Sequence, residues 1–68
     1  MVVGPSAWLP IEVKWSDAPT VRDARHVETF LSEHQQATRG VVVCTTPRRF
    51  KLTPRIDAVP WQQIPELV

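Results

Sequence analysis

The 68-residue chain carries a single cysteine, Cys44. One thiol cannot close an intramolecular disulfide, so the sequence implies a reducing, cytoplasmic setting. No apolar run approaches the roughly 20 residues that cross a bilayer. The first residues have no basic stretch leading into an apolar one, so neither a membrane span nor a signal peptide is expected. No G-x-x-x-x-G-K-S/T loop occurs, which excludes P-loop nucleotide hydrolysis. No Asp or Glu precedes Glu12. There is no internal repeat, no low-complexity tract and no linker. The expectation is one small domain over residues 1–68, with 1–7 a ragged start or strand stub and 8–68 the core.

Net charge is only +1, too small to imply nucleic acid by itself. Its distribution is uneven. Through His34, Lys14, Arg22 and Arg25 face Glu12, Asp17, Asp23, Glu28 and Glu33. Beyond it, Arg39, Arg48, Arg49, Lys51 and Arg55 face only Asp57 and Glu66. Hydrophobic content of 43% and charged content of 22% read as globular rather than disordered.

The organising stretch is Leu9 to Ser16. Leu9, Ile11, Val13 and Trp15 alternate with Pro10, Glu12, Lys14 and Ser16, the period of a half-buried strand. A strand over Trp8–Ser16 follows, with Pro10 at an edge or at the strand's entry because it lacks a donor. Glu12 and Lys14 then share one face, with Cα atoms about 7 Å apart. Such a pair can form half of a metal-dependent phosphodiesterase site, or be an ordinary polar strand face. Asp17-Ala18-Pro19-Thr20 ends the strand. Thr20 and Asp23 make a near capping box, and Asp23 suits the positive end of a helix dipole. Ala24, Val27, Phe30, Leu31 and His34 then repeat at helical spacing, predicting a helix over 21–36 with Gly40 as its stop.

Val41-Val42-Val43-Cys44 is a continuous β-branched run, the pattern of a strand covered on both faces in a parallel sheet. Short strands follow at 49–52 and 56–59, separated by Pro54, and Pro60-Trp61 opens a final turn from which Ile64 and Leu67 pack back. The fold class is thus α/β, a small β-α-β-β-β unit with one main helix packed on a mixed sheet.

Four ordered pieces carry a family resemblance: Ile11-Glu12-Val13-Lys14-Trp15-Ser16, the helix with Asp23-Ala24-Arg25, Arg39-Gly40-Val41-Val42-Val43, and Val59-Pro60-Trp61. Together they resemble the C-terminal domain of unknown function attached to prokaryotic AAA-type ATPases, which is itself similar to the PD-(D/E)xK nuclease fold. The resemblance covers Trp8 to the C-terminus and implies a truncated nuclease-like core. It also implies Glu12 as metal ligand and Glu12 with Lys14 as candidate catalytic residues. The family carries an acidic residue on a hairpin before this strand, and nothing here matches it. The implied role is therefore a non-catalytic interaction module with no cofactor. The alternatives are a Mg²⁺-dependent nuclease half-site completed by a second chain, with Asp17 or Asp57 as replacement carboxylates, or a DNA-binding accessory domain using Arg48, Arg49, Lys51 and Arg55.

The remaining residues have plainer readings. His26 and His34 lack neighbours at metal-ligand spacing and read as structural. Cys44, within an apolar run, reads as a buried small hydrophobe. Trp8, Trp15 and Trp61 read as core, among aliphatic neighbours. A sheet short of its leading strands leaves the Glu12 strand with an open edge. A homodimer, or a partner chain completing the sheet, is expected, with Trp8 or Trp15 near the interface.

Overall fold

The computed structural model describes residues 2–3 and 8–66. Met1, residues 4–7 and Leu67 lie outside the described residues, so most of the expected ragged start and the packing of Leu67 do too. A five-stranded mixed sheet carries one helix. The strands are β1 (Val2–Val3), β2 (Pro10–Val13), β3 (Gly40–Cys44), β4 (Phe50–Thr53) and β5 (Ile56–Pro60), in the spatial order β1-β2-β3-β5-β4. β2, β3 and β5 run parallel to one another, while β1 and β4 pair antiparallel at the two sides.

Val41–Cys44 is fully buried at the centre, as a strand with parallel neighbours on both sides must be. In register, Glu12, Val42 and Ala58 form one row, and Ile11, Val41 and Asp57 form the next. Side chains of successive rows point to opposite faces. One face buries Val42 and Ile56 against Ala24, Val27, Leu31 and Ala37, with Phe30 and Leu52 packed alongside. The other buries Val41, Val43 and Val59 under Leu9, with Ile11 beside them.

The helix differs from the expected 21–36. Val21–Ala24 is a 3₁₀ turn, and α1 runs from Arg25 to Glu33. The expected apolar stripe is present, with Ala24, Val27 and Leu31 buried and Phe30 half-buried. α1 ends early because His34 caps it from both its groups. The His34 backbone N–H and its Nδ1 each reach the Phe30 carbonyl at 3.0 Å. The chain then bends to bury Ala37 in the helix-side core.

Gly40 is therefore not the helix stop. It opens β3, and its backbone N–H donates to the Arg55 carbonyl at 2.8 Å. A Cβ at this position would lie 2.2 Å from Val27 Cγ1 and 3.3 Å from Pro10 Cγ, so glycine is what lets α1 sit on the sheet here.

β2 is shorter than the expected 8–16. Trp8, at φ 48°, takes a left-handed backbone conformation and breaks the extended run before Leu9. After Val13, the Lys14 N–H still donates to the Val43 carbonyl at 2.8 Å, but the Ser16 N–H turns back onto the Lys14 carbonyl at 2.8 Å. Pro10 opens the strand, as its missing donor allows. β2 is not an edge strand, because Ile11 and Pro10 pair with Val2 and Val3.

The tryptophans correct the expected core. Trp15 is 72% exposed, Trp61 47% and Trp8 45%, Val13 (57%) is also open, and Ile64 (39%) packs back only in part. Of the apolar side of the first strand, only Leu9 is buried, with Ile11 half-buried. Trp8 lies beside His34 (ring centroids 5.8 Å), which stacks on Phe30 at 4.0 Å, a structural role for this histidine. Cys44 is buried, within reach of the Thr46 hydroxyl at 3.3 Å and the Val59 carbonyl at 3.6 Å.

Candidate functional site

Glu12 sits in the same row as Val42, so its side chain points to the face that carries α1. The Glu12–Lys14 face lies toward the helix, with Glu12 half-buried and Lys14 exposed. It forms one wall of a shallow, open cavity of about 260 Å³ whose other wall is the start of the helix: Arg22, Asp23, Arg25 and His26. The 3₁₀ turn presents these residues because Asp23 Oδ2 accepts the Thr20 N–H at 2.8 Å and fixes the first turn. Lys14 Nζ lies 3.8 Å from Asp23 Oδ1, and His26 Nδ1 lies 3.8 Å from Glu12 Oε2. That Glu12 oxygen is buried and accepts no hydrogen bond among the described residues.

Asp23, read in the sequence as a helix cap, keeps that role and also lines the cavity, and His26, read as structural, lines it too. A strand–helix docking that brings positions 12 and 23–26 together leaves no periodic trace in the sequence. Of the two replacement carboxylates, Asp57 lies in the Val41 row and points to the opposite face. It is held there by Arg49 at 2.7 Å and Lys51 at 3.2 Å. Asp17 sits in the bend after β2, exposed and outside the cavity wall.

The donor set can be judged for the Mg²⁺ ion that a nuclease reading implies. Mg²⁺ takes one or two carboxylates plus water and phosphate. Here Glu12 and Asp23 share the cavity with Lys14, Arg22 and Arg25, and Asp23 already holds the Thr20 amide. Three cations around two carboxylates repel a divalent ion, and the residues do not fit one. Among the described residues no three His, Cys, Asp or Glu side chains converge as a metal-holding group.

The four basic residues of the second half do not form one surface. Arg49 and Lys51 share Asp57, Arg55 pairs with Glu28 on α1 at 2.6 Å, and Arg48 is exposed beyond β3. These pairs tie β4 to β5 and the β4–β5 turn to the helix.

A family model described as a domain of unknown function (DUF4143) matches residues 1–64. The chain belongs to the DUF4143 family. No curated protein and no solved structure matches it. The DUF4143 match spans all five strands, α1 and the cavity. No helix among the described residues is long and apolar enough to cross a membrane.

The ion pairs of this DUF4143 domain set its acid stability. Hydrogen bonds from Arg55 and then Thr53 hold the Glu28 carboxyl below its ordinary 4.5, outweighing slight burial. For Asp57, partial burial pushes upward, but hydrogen bonds from Arg49 and Lys51 more than offset it and leave the carboxyl below 3.8. Both folded-state values lie below the unfolded ones. Their stabilisation is therefore complete above the ordinary values and is lost as pH falls through the lowered ones. Urea midpoints measured from pH 7 downward should hold until about pH 4.5 and then fall. Asp57→Asn should flatten that fall and cost roughly 0.2–1 kcal/mol at neutral pH, as half-exposed pairs do. An unaltered acid slope in Asp57→Asn and Glu28→Gln together would contradict this assignment.

Proposed function

We propose that this DUF4143 domain is a non-catalytic interaction module that associates with a second copy of itself through the open face of its sheet. The supporting observation is an apolar corner at the C-terminal ends of β2 and β5. Trp15 and Trp61 are exposed there with their rings 6.4 Å apart, and Val13 and Ile64, two and three residues away in sequence, are exposed as well. Their open area is roughly 400 Å² at 150–250 Å² per large aromatic side chain. The largest apolar patch on a monomer is typically ~300–600 Å² and is often functional. The exposed area of this corner is about half of the ~800 Å² per partner in a standard interface. The described β1–β2 pairs are Val2 with Ile11 and Val3 with Pro10, and Val13 lies two residues further along β2, at the patch.

This reading is also what the resemblance to the C-terminal domain of AAA-type ATPases implies for a chain with Glu12 and Lys14 but no acidic residue before them. Sedimentation at low micromolar concentration should give a dimer. Trp15→Ala, at an exposed position, should leave the fold intact and weaken association about 30-fold or more, the cost of removing a tryptophan anchor of ~2 kcal/mol. A compact monomer for the unaltered chain would refute the dimer. Mg²⁺-dependent DNA cleavage abolished by Glu12→Ala would refute the non-catalytic reading.

A further inference from the structure

The cavity between β2 and the helix start is not absorbed by that docking surface. Its wall combines Lys14, Arg22 and Arg25 with Glu12 and Asp23, with His26 at the mouth. The ion pairs across it are loose. Lys14–Asp23 and His26–Glu12 are both 3.8 Å, beyond hydrogen-bonding range, whereas Arg55–Glu28 and Arg49–Asp57 close to 2.6 and 2.7 Å. Glu12 Oε2 is buried without a donor, a state native structures normally relieve with water, an ion or a ligand. Arg22 and Arg25 stand three residues apart on one face and have no acidic partner among the described residues.

We propose that this cavity binds a small amphoteric carboxylate, an α-amino dicarboxylate, with its ammonium at Glu12 and Asp23 and its carboxylates at Lys14, Arg22 and Arg25. Charge selects this class. A bare anion meets two carboxylates and a bare cation meets three Lys or Arg side chains. A ligand with one ammonium and two carboxylates satisfies both sets and neutralises the excess of one positive charge. The ammonium brings the donors that Glu12 lacks, and the arginine forks match planar carboxylates. His26, 79% exposed at the side chain, covers the buried oxygen and is free to swing aside as the ammonium enters. A volume of about 260 Å³ is below that of sites for drug-sized ligands, roughly 300–1,000 Å³, and suits a single amino acid.

The test is titration of the full chain with L-glutamate, read by amide NMR and calorimetry, with glutarate (which lacks the ammonium) and inorganic phosphate as comparators. Saturable L-glutamate binding is expected, with shifts concentrated at residues 12–14 and 22–26. Glutarate and phosphate should bind at least about tenfold more weakly, for one lost charge-assisted hydrogen bond. Glu12→Gln should weaken L-glutamate by a similar factor. Arg25→Gln, at an exposed position that leaves folding intact, should do the same. Absence of saturable L-glutamate binding up to millimolar concentrations would overturn the proposal. So would glutarate or phosphate binding as tightly as L-glutamate, because the cavity would then be a general cation patch. Unchanged affinity in Arg25→Gln would overturn the assigned carboxylate contact.

Discussion

Gly40→Ala is expected to lower the unfolding free energy by about 1–3 kcal/mol, the cost of overpacking a closed interface. The direction runs against local preference, since alanine ordinarily stabilises a position whose glycine has an unstrained backbone. Gly40 has no left-handed φ that would require glycine. The loss arises from space alone. The new Cβ would lie 2.2 Å from Val27 Cγ1, on a fully buried helix residue, and 3.3 Å from Pro10 Cγ. Val27 cannot yield without lifting α1 from β3, because Ala24 and Leu31 on the same stripe are buried against Val42 and Ile56. Urea midpoints measure the effect. Val27→Ala alone should cost roughly 2 kcal/mol, two methyl groups at about 0.8 each plus a cavity. The double variant should be less destabilised than the sum, by roughly 1 kcal/mol, because the added methyl occupies the vacated space. Strict additivity would show that the close approach is not what requires glycine.

Ile56→Ala carries the larger cost, about 2–5 kcal/mol. Ile56 has no exposed surface and heads the largest fully buried side chains. It pairs with Gly40 in register and packs in the helix-side cluster with Ala24, Val27, Leu31 and Val42. A core below 70–80 residues rarely supplies more than roughly 3–5 kcal/mol in total, so this one truncation should leave much of the population unfolded at 25 °C. Ile56→Val should retain most of the stability, with a loss of roughly 0.5–1.5 kcal/mol. Circular dichroism against urea distinguishes the two. Equal midpoints for Ile56→Ala and the unaltered chain would mean that the helix-side cluster is not the core that holds the domain.

The two variants address the fold, and Trp15→Ala and Arg25→Gln address the surfaces built on it. Trp15 and Arg25 are exposed, so their loss should change association or ligand binding with stability nearly constant. Gly40 and Ile56 should show the reverse.

The candidate site was half legible in the sequence. Glu12 and Lys14 share a face because strand geometry alternates, and that needs nothing beyond the residues at 9–16. Which face it is, and what lies opposite, depended on register. Pairing Glu12 with Val42 turns it toward α1, and a slip by one residue would have placed it on the open face with Asp57. Asp23 and His26 entered the cavity only because Val27 docks at Gly40 and fixes the helix over β2. The basic run 48–55 looked continuous in sequence. It was dispersed by Asp57 and Glu28, both of which come close only after the sheet is assembled.

Local chemistry by itself determined that Val41–Cys44 is a buried parallel strand, that Ala24, Val27, Phe30 and Leu31 form the packing stripe of a helix, and that two short strands follow. Those features rest on side-chain periodicity and on β-branched runs, which act between near neighbours. Tertiary structure alone decided that the tryptophans stay outside, that Gly40 is a contact glycine and that Asp57 faces away from Glu12. Each of these depends on what another segment leaves open or fills. Trp15 is apolar enough for a core, but the helix covers one face of the sheet, and Trp15 lies past the end of β2, where no described element covers it. Burial is a property of the assembled surface, and no residue carries it alone.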